Sequence, residues 1–148
     1  MGGAAAYFDL DRTLLAVSSE RRLFSRLVKR KGVLWRARAT LRQTLCAVGR
    51  IIRGYAPYDA LRSHSYLKGI SVDELSQIVN ELVDQDLVNK IPEAARERVE
   101  WHRERGDRIV IVSATLQSIA QRLGEHLEVD AVHAVELPID NKNRSRED

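Results

Sequence analysis

Residues 5–15 read Ala-Ala-Tyr-Phe-Asp-Leu-Asp-Arg-Thr-Leu-Leu, an apolar run that ends in two carboxylates, Asp9 and Asp11, with Thr13 two residues further on. Few folds accept this pattern. An unpaired carboxylate is costly to bury, so charges are kept from the ends of core strands unless something there needs them. A short apolar run ending at an acid suits a buried parallel strand, whose C-terminal tip delivers its charge to a site. In an extended strand, positions i and i+2 share a face, so the spacing predicts that both acids address one point. Two converging acids imply a cation, a shared proton or a reaction. An acidic surface turn is the bland alternative.

The rest of the chain places this element. Leu23, Phe24, Leu27 and Val28 fall on one helical face. Leu34, Ala37, Leu41, Leu45, Val48 and Ile52 extend the period after a break at Gly32, and Gly54 ends it. Tyr55–Tyr66 reads as a turn at Pro57 and a short helix. Ser71 and Glu74 form a capping box for a helix through Leu75, Ile78, Val79, Leu82 and Val83. Pro92 suits a first helical position, with Gly106 as the stop. The run Arg108-Ile-Val-Ile-Val-Ser113 has the profile of a central parallel strand covered on both faces. Ala114 and Thr115 lead into a helix with Leu116, Ile119, Ala120 and Leu123 inward, and Val129–Val135 reads as a third strand. Strands alternating with helices predict an α/β fold with right-handed crossovers. The helices between about Ser19 and Asp86 are too many for one crossover and read as a separate cap. The tail Asp140–Asp148 is polar and is expected to fray.

Composition narrows the class. No apolar stretch approaches the roughly 18–20 residues needed to span a bilayer. The N-terminus lacks the charged start and apolar region of a secretory signal, and Ala6 breaks the myristoylation pattern. The single cysteine, Cys46, forbids an intramolecular disulfide and reads as a small core residue. A cytoplasmic protein is therefore expected. His64, His102, His126 and His133 lack metal-ligand spacing, which argues against zinc. Charge is segregated: Glu20–Arg53 holds 11 lysines and arginines against one acid, and the remaining residues hold 13 against 20. In decreasing order of expectation, that basic stretch is a solvated face, a weak contact for an anionic membrane, or a nucleic-acid surface. Nucleic acid is not expected as a partner, and the oligomeric state is left open.

In open parallel sheets, ligands bind beyond the C-terminal strand ends, which groups Asp9, Asp11 and Ser113 on one edge. Two carboxylates suit a hard cation such as Mg²⁺. A serine hydroxyl beside a helix N-terminus suits an anion; the lesser alternative is that Ser113 caps that helix, a role for which Thr115 competes. Carboxylates, a cation and an anion-binding hydroxyl together suggest phosphoryl chemistry.

Phe-Asp-Leu-Asp-Arg-Thr-Leu resembles motif I of the haloacid dehalogenase superfamily, and Ile-Val-Ile-Val-Ser-Ala-Thr resembles its motif II. The helical insertion after motif I, with the run Gly69-Ile-Ser-Val-Asp-Glu-Leu, is similar to the cap of the phosphoserine-phosphatase-like branch. The resemblance covers the chain to about residue 137. It implies a Rossmann-like α/β core from residues 1–17 and 87–148, with an incomplete parallel sheet, and an all-helical cap over 18–86. It implies a Mg²⁺-dependent phosphomonoester hydrolase acting on a small phosphorylated metabolite, with a phospholipid-derived one among the candidates. Asp9 would be the nucleophile and Asp11 the general acid and base. Mg²⁺ would be held by the Asp9 carboxylate and the Asp11 carbonyl oxygen, and Ser113 and Ala114 would bind the phosphoryl group. Thr13 would steady the loop.

Departures from the family pattern qualify this. Arg12 stands where many relatives have glycine. Ser18 stands where phosphoserine phosphatases place a glutamate that reads the substrate amino group, and Glu20 comes two residues late, which argues against phosphoserine as substrate. The family also uses a lysine and a downstream acidic pair. After Ser113 the one lysine is Lys142, which reads as a solvated tail residue, and no acidic pair follows a fourth strand. The expectation is a fragment with little independent activity. The competing reading is a non-catalytic module whose basic cap binds an anionic surface or partner.

Overall fold

The computed structural model describes residues 4–55 and 64–137. The expected turn at Pro57, Lys142 and the charged tail lie outside the described residues. In chain order the elements are β1 (Ala5–Phe8), α1 (Ser19–Lys31), α2 (Val33–Ile52), a 3₁₀ turn (Ser65–Leu67), α3 (Val72–Leu82), α4 (Glu93–Glu104), β2 (Arg108–Leu116), α5 (Gln117–His126) and β3 (Ala131–Val135). A π-helical turn, Val83–Leu87, and a 3₁₀ turn, Val88–Lys90, continue α3. The chain divides into two compact units, one from the residues up to Phe24 with Ser76–Glu136, the other built on Ser25–Leu75.

The first unit is a parallel α/β layer. Its three strands lie in the order β1-β2-β3. Phe8 pairs with Ile111, and Ile111 with Val132, so these three share a face. Both α4 and α5 stand on that face. The Phe8 ring meets His102 of α4 edge-on at 5.6 Å, and α5 packs its Gly124 against Val132. Ile109, Ile111, Ile119, Ala120 and Leu123 are all buried there. Placing consecutive crossovers on one side is what right-handedness requires when strands are added in one direction.

Two expectations are corrected here. β1 is not a buried strand but an edge strand of the described sheet, with alternating exposure along its length. β2 is central but not covered on both faces. On the face opposite the helices Val110 is buried, while Tyr7 is 70% exposed and Val112 47%. Apolar continuity signals a sheet interior but does not say which neighbour covers it.

Gly124 marks the tightest helix-to-sheet approach. A Cβ built there would lie 2.8 Å from Val132 Cγ2 and 3.0 Å from Val129 Cγ2, and both contacts belong to stiff β-branched side chains. Gly124→Ala would gain about 1 kcal/mol of helix propensity but overpack by about 1–3 kcal/mol. The expected result is a net loss of about 1 kcal/mol in chemical denaturation. A gain in stability would show that the layer yields freely.

The turn into β2 is held by Asp107, whose Oδ2 lies 2.9 Å from His102 Nδ1 and 3.5 Å from Arg105 Nε. The His102 hydrogen bond, with Arg105 adding charge, holds the Asp107 carboxyl below its ordinary value despite some desolvation. A depressed carboxylate stabilises the fold fully above its unfolded pKa, and that contribution is lost as pH falls through the depressed folded value. Acid titration of stability should therefore show an acid-side decline that Asp107→Asn flattens. Parallel curves for the two proteins would remove this assignment.

In the second unit, Gly32 (φ 85°) separates α1 from α2 and Gly54 (φ 90°) follows α2, at the predicted breaks. The N–H of Glu74 donates to Ser71 Oγ at 3.2 Å, which is half of the expected capping box. The buried face of α2 carries only Ala39 and Ala47. Leu34, Leu41, Leu45, Val48 and Ile52 are exposed instead, and so is Cys46. Cys46 is therefore not a core residue: small alanines make the close approach, and the larger side chains are turned outward.

Candidate active site

Strand β1 stops at Phe8, and the chain leaves the extended conformation at once. Leu10 is fully buried. Its carbonyl accepts the N–H groups of Thr13 at 3.3 Å and Leu15 at 2.8 Å, while the Asp9 carbonyl accepts that of Leu14 at 3.4 Å. Arg12, at φ 64° and exposed, occupies the left-handed region. That conformation costs a non-glycine residue strain and accounts for glycine at this point of the motif. The two acids thus do not sit on one face of a continuous strand, as their spacing predicted. They straddle a strand-to-loop turn.

Each acid is held differently. Asp9 is exposed, and its Oδ1 accepts the N–H of Leu10 at 2.7 Å, which orients the carboxylate at the strand tip. Asp11 is half-buried, and its Oδ1 accepts the N–H of Ser19 at 3.0 Å. Ser19 opens α1, so this carboxylate meets unsatisfied helix-start donors and the positive end of the helix dipole.

Parallel pairing puts the acids and Ser113 on the same sheet edge. Asp9 directly follows the Phe8–Ile111 rung, so it stands level with Val112, and Ser113 is one residue further along the neighbouring strand. Ser113 does not adjoin a helix start. β2 continues to Leu116 through an irregularity in its pairing with β3, and α5 begins at Gln117 with Leu116 at its cap position. Neither Ser113 nor Thr115 caps α5. Ser113 is half-buried and its Oγ accepts the N–H of Thr115 at 3.4 Å; Ala114 is exposed.

The structure adds two residues to the arrangement. Ser19 is fully buried and Thr115 nearly so, and their hydroxyls lie 2.6 Å apart. Ser19 therefore grips Asp11 through its backbone and β2 through its side chain. The serine before a helix was visible in the sequence, and Thr115 as a cap competitor. Their meeting across 96 positions was not.

The donor set is hard oxygen. Mg²⁺ is commonly held by one or two carboxylates with its remaining positions filled by water, and Asp9 and Asp11 supply oxygen donors of that kind. No group of three or more His, Cys, Asp or Glu side chains that could hold a metal occurs among the described residues. No described helix is long and apolar enough to cross a membrane.

The model of the haloacid dehalogenase-like hydrolases matches residues 6–145. The inhibition of morphological differentiation protein of Streptomyces azureus is 34% identical over 141 residues, which are 91% of this chain and 50% of that protein. The chain thus spans about half the length of this curated relative. A protein of unknown function from Bordetella pertussis Tohama I has a solved structure that superposes with a TM-score of 0.72 at 23% identity, covering 98% of this chain and 65% of that one. A phospho-aspartyl intermediate analogue of phosphoserine phosphatase superposes with a TM-score of 0.59 at 17% identity, covering 98% and 62%. The fold is therefore the one phosphoserine phosphatases share, and the chain belongs to the haloacid dehalogenase-like hydrolase family.

Proposed function

We propose that this chain carries the nucleophile half of a Mg²⁺-dependent phosphomonoester hydrolase that acts in the cytoplasm on a small phosphorylated metabolite other than phosphoserine. The observation that supports the reading is that Asp9 and Asp11 follow the end of β1 at the sheet edge toward which β2 carries Ser113. The family match and the fold shared with a phosphoserine phosphatase support the hydrolase class. The one cysteine, exposed on α2, suits a reducing compartment.

In this reading an oxygen of Asp9 attacks phosphorus, and the bond from phosphorus to the leaving alcohol breaks. Asp11, as general acid, gives a proton to the departing oxygen. Asp11 then accepts a proton from water as the water oxygen attacks the aspartyl-phosphate, which frees inorganic phosphate and restores Asp9. Ser113 and the backbone at Ala114 hold phosphoryl oxygens. Mg²⁺ would be held by the Asp9 carboxylate and the Asp11 carbonyl oxygen and would supply positive charge that offsets repulsion between phosphate and nucleophile. Arg12 presents its side chain to solvent and takes no part. The 148-residue chain by itself turns over slowly, because the one lysine beyond Ser113 is Lys142, which reads as a solvated tail residue rather than a phosphate ligand.

The test is hydrolysis of a generic phosphomonoester by this chain and by any longer natural form, with Mg²⁺ and with chelator, each beside its Asp9→Asn variant. Mg²⁺-dependent release of phosphate that disappears in the variant is expected, stronger in the longer form. An inert longer form, or a rate indifferent to Asp9, would overturn the reading.

A further inference from the structure

We propose that the outward face of α2 is a docking surface for an anionic lipid membrane, on which the helix lies parallel to the surface. This goes beyond the proposed hydrolase activity and does not depend on it.

Leu34 is 79% exposed, Leu41 61%, Leu45 63%, Val48 48% and Ile52 80%. At about 100° per residue these five fall within an arc of about 60° and form one stripe along a helix about 30 Å long. The stripe is turned away from the Ser65–Leu67 turn on which the helix packs. Ala39 and Ala47, the buried positions, lie on the opposite side of the helix. That side packs on the Ser65–Leu67 turn, with Arg42 Nη1 donating to the Lys68 carbonyl at 2.7 Å. Five large aliphatic side chains in line on the solvent side are not the singly scattered apolar residues of an ordinary surface.

Charge selects the occupant. Arg38 borders the stripe, and Arg53 follows the end of the helix. The segment Glu20–Arg53 holds 11 lysines and arginines against one acid, and α2 holds no acid at all. An acid-free helix of 20 residues with an apolar face and Arg38 at its edge has the composition of an interfacial helix: the aliphatic chains enter the acyl boundary and the guanidinium group reaches phosphate headgroups. Each basic residue near an anionic leaflet adds to the attraction. The spacing would also suit a two-helix seam, but pairing α2 with a second copy would set arginines against arginines with no acid to answer them. The helix lies on the membrane rather than through it, since no described helix is long and apolar enough to span.

The experiment is co-sedimentation of the whole 148-residue chain with two kinds of vesicle, phosphatidylcholine alone and phosphatidylcholine with phosphatidylglycerol. Binding to the anionic vesicles should be at least roughly tenfold tighter and should weaken as salt is raised. Leu41→Gln with Leu45→Gln, both at exposed sites, should abolish it while circular dichroism stays unchanged, and Arg38→Gln should weaken it. Equal binding to both vesicles, or binding to neither, would refute the proposal. So would a concentration-dependent dimer that the Leu41→Gln/Leu45→Gln pair dissociates, which would assign the stripe to a second copy.

Discussion

Asp9→Asn is expected to lower phosphomonoester turnover by on the order of a thousandfold or more, because an amide replaces the oxygen that attacks phosphorus. The substitution keeps the size of the side chain. Its remaining carbonyl oxygen can still accept the Leu10 N–H now made to Oδ1 at 2.7 Å, so stability should change little. Asp11→Asn should behave differently. With an aryl phosphate, whose phenolate leaves without needing a proton, the first half-reaction should survive and the second should slow by about 10²–10⁴-fold. The readout is a burst of phenolate followed by a slow steady state, with acid-stable label retained on the protein. If Asp9→Asn and Asp11→Asn abolished the burst equally, the division of labour between the two acids would be wrong. Retained turnover in Asp9→Asn would remove the nucleophile from Asp9 altogether.

The second large effect concerns the Ser19–Thr115 pair. Ser19→Ala leaves the Thr115 hydroxyl buried without its 2.6 Å partner. Stranding a buried hydroxyl costs about 1–3 kcal/mol, which in a chain of this size is several degrees in Tm. Thr115→Val strands the Ser19 hydroxyl in the same way. Combining Ser19→Ala with Thr115→Val removes both polar groups, so the double variant should recover much of what either single variant loses. Simple addition of the two losses would mean that each hydroxyl acts through other groups and that the pair does not hold the α1 start to β2. Since Asp11 receives the backbone N–H of Ser19 at 3.0 Å, the single variants should also loosen Asp11. The expected sign is a fall in kcat with KM nearly unchanged.

Much of this was readable along the chain because it is local. The break at Gly32 needs a left-handed φ that glycine adopts freely. The cap at Ser71 needs one hydroxyl and an N–H three residues on. The run Ile109–Val112 is β-branched throughout, and Asp9 follows an apolar run that can only be a strand. From these came the order of elements, the parallel sheet and the sheet edge that Asp9 and Ser113 share.

What the sequence could not decide were orientations. A 3.6-residue period shows that α2 has an apolar side. It does not say which way that side is turned, and here the alanines Ala39 and Ala47 face inward while Leu41 and Leu45 face out. Two acids at i and i+2 share a face only while the strand stays extended, and the turn at Leu10 and Arg12 ends that condition. The Asp9/Asp11 motif and the alternation of strands and helices are properties of neighbouring residues, so the sequence by itself determined them. The grip of Ser19 on Thr115, the open face at Tyr7 and Val112, and the outward stripe of α2 depend on what packs against what. Those contacts join residues far apart in the chain, and only the tertiary structure decided them.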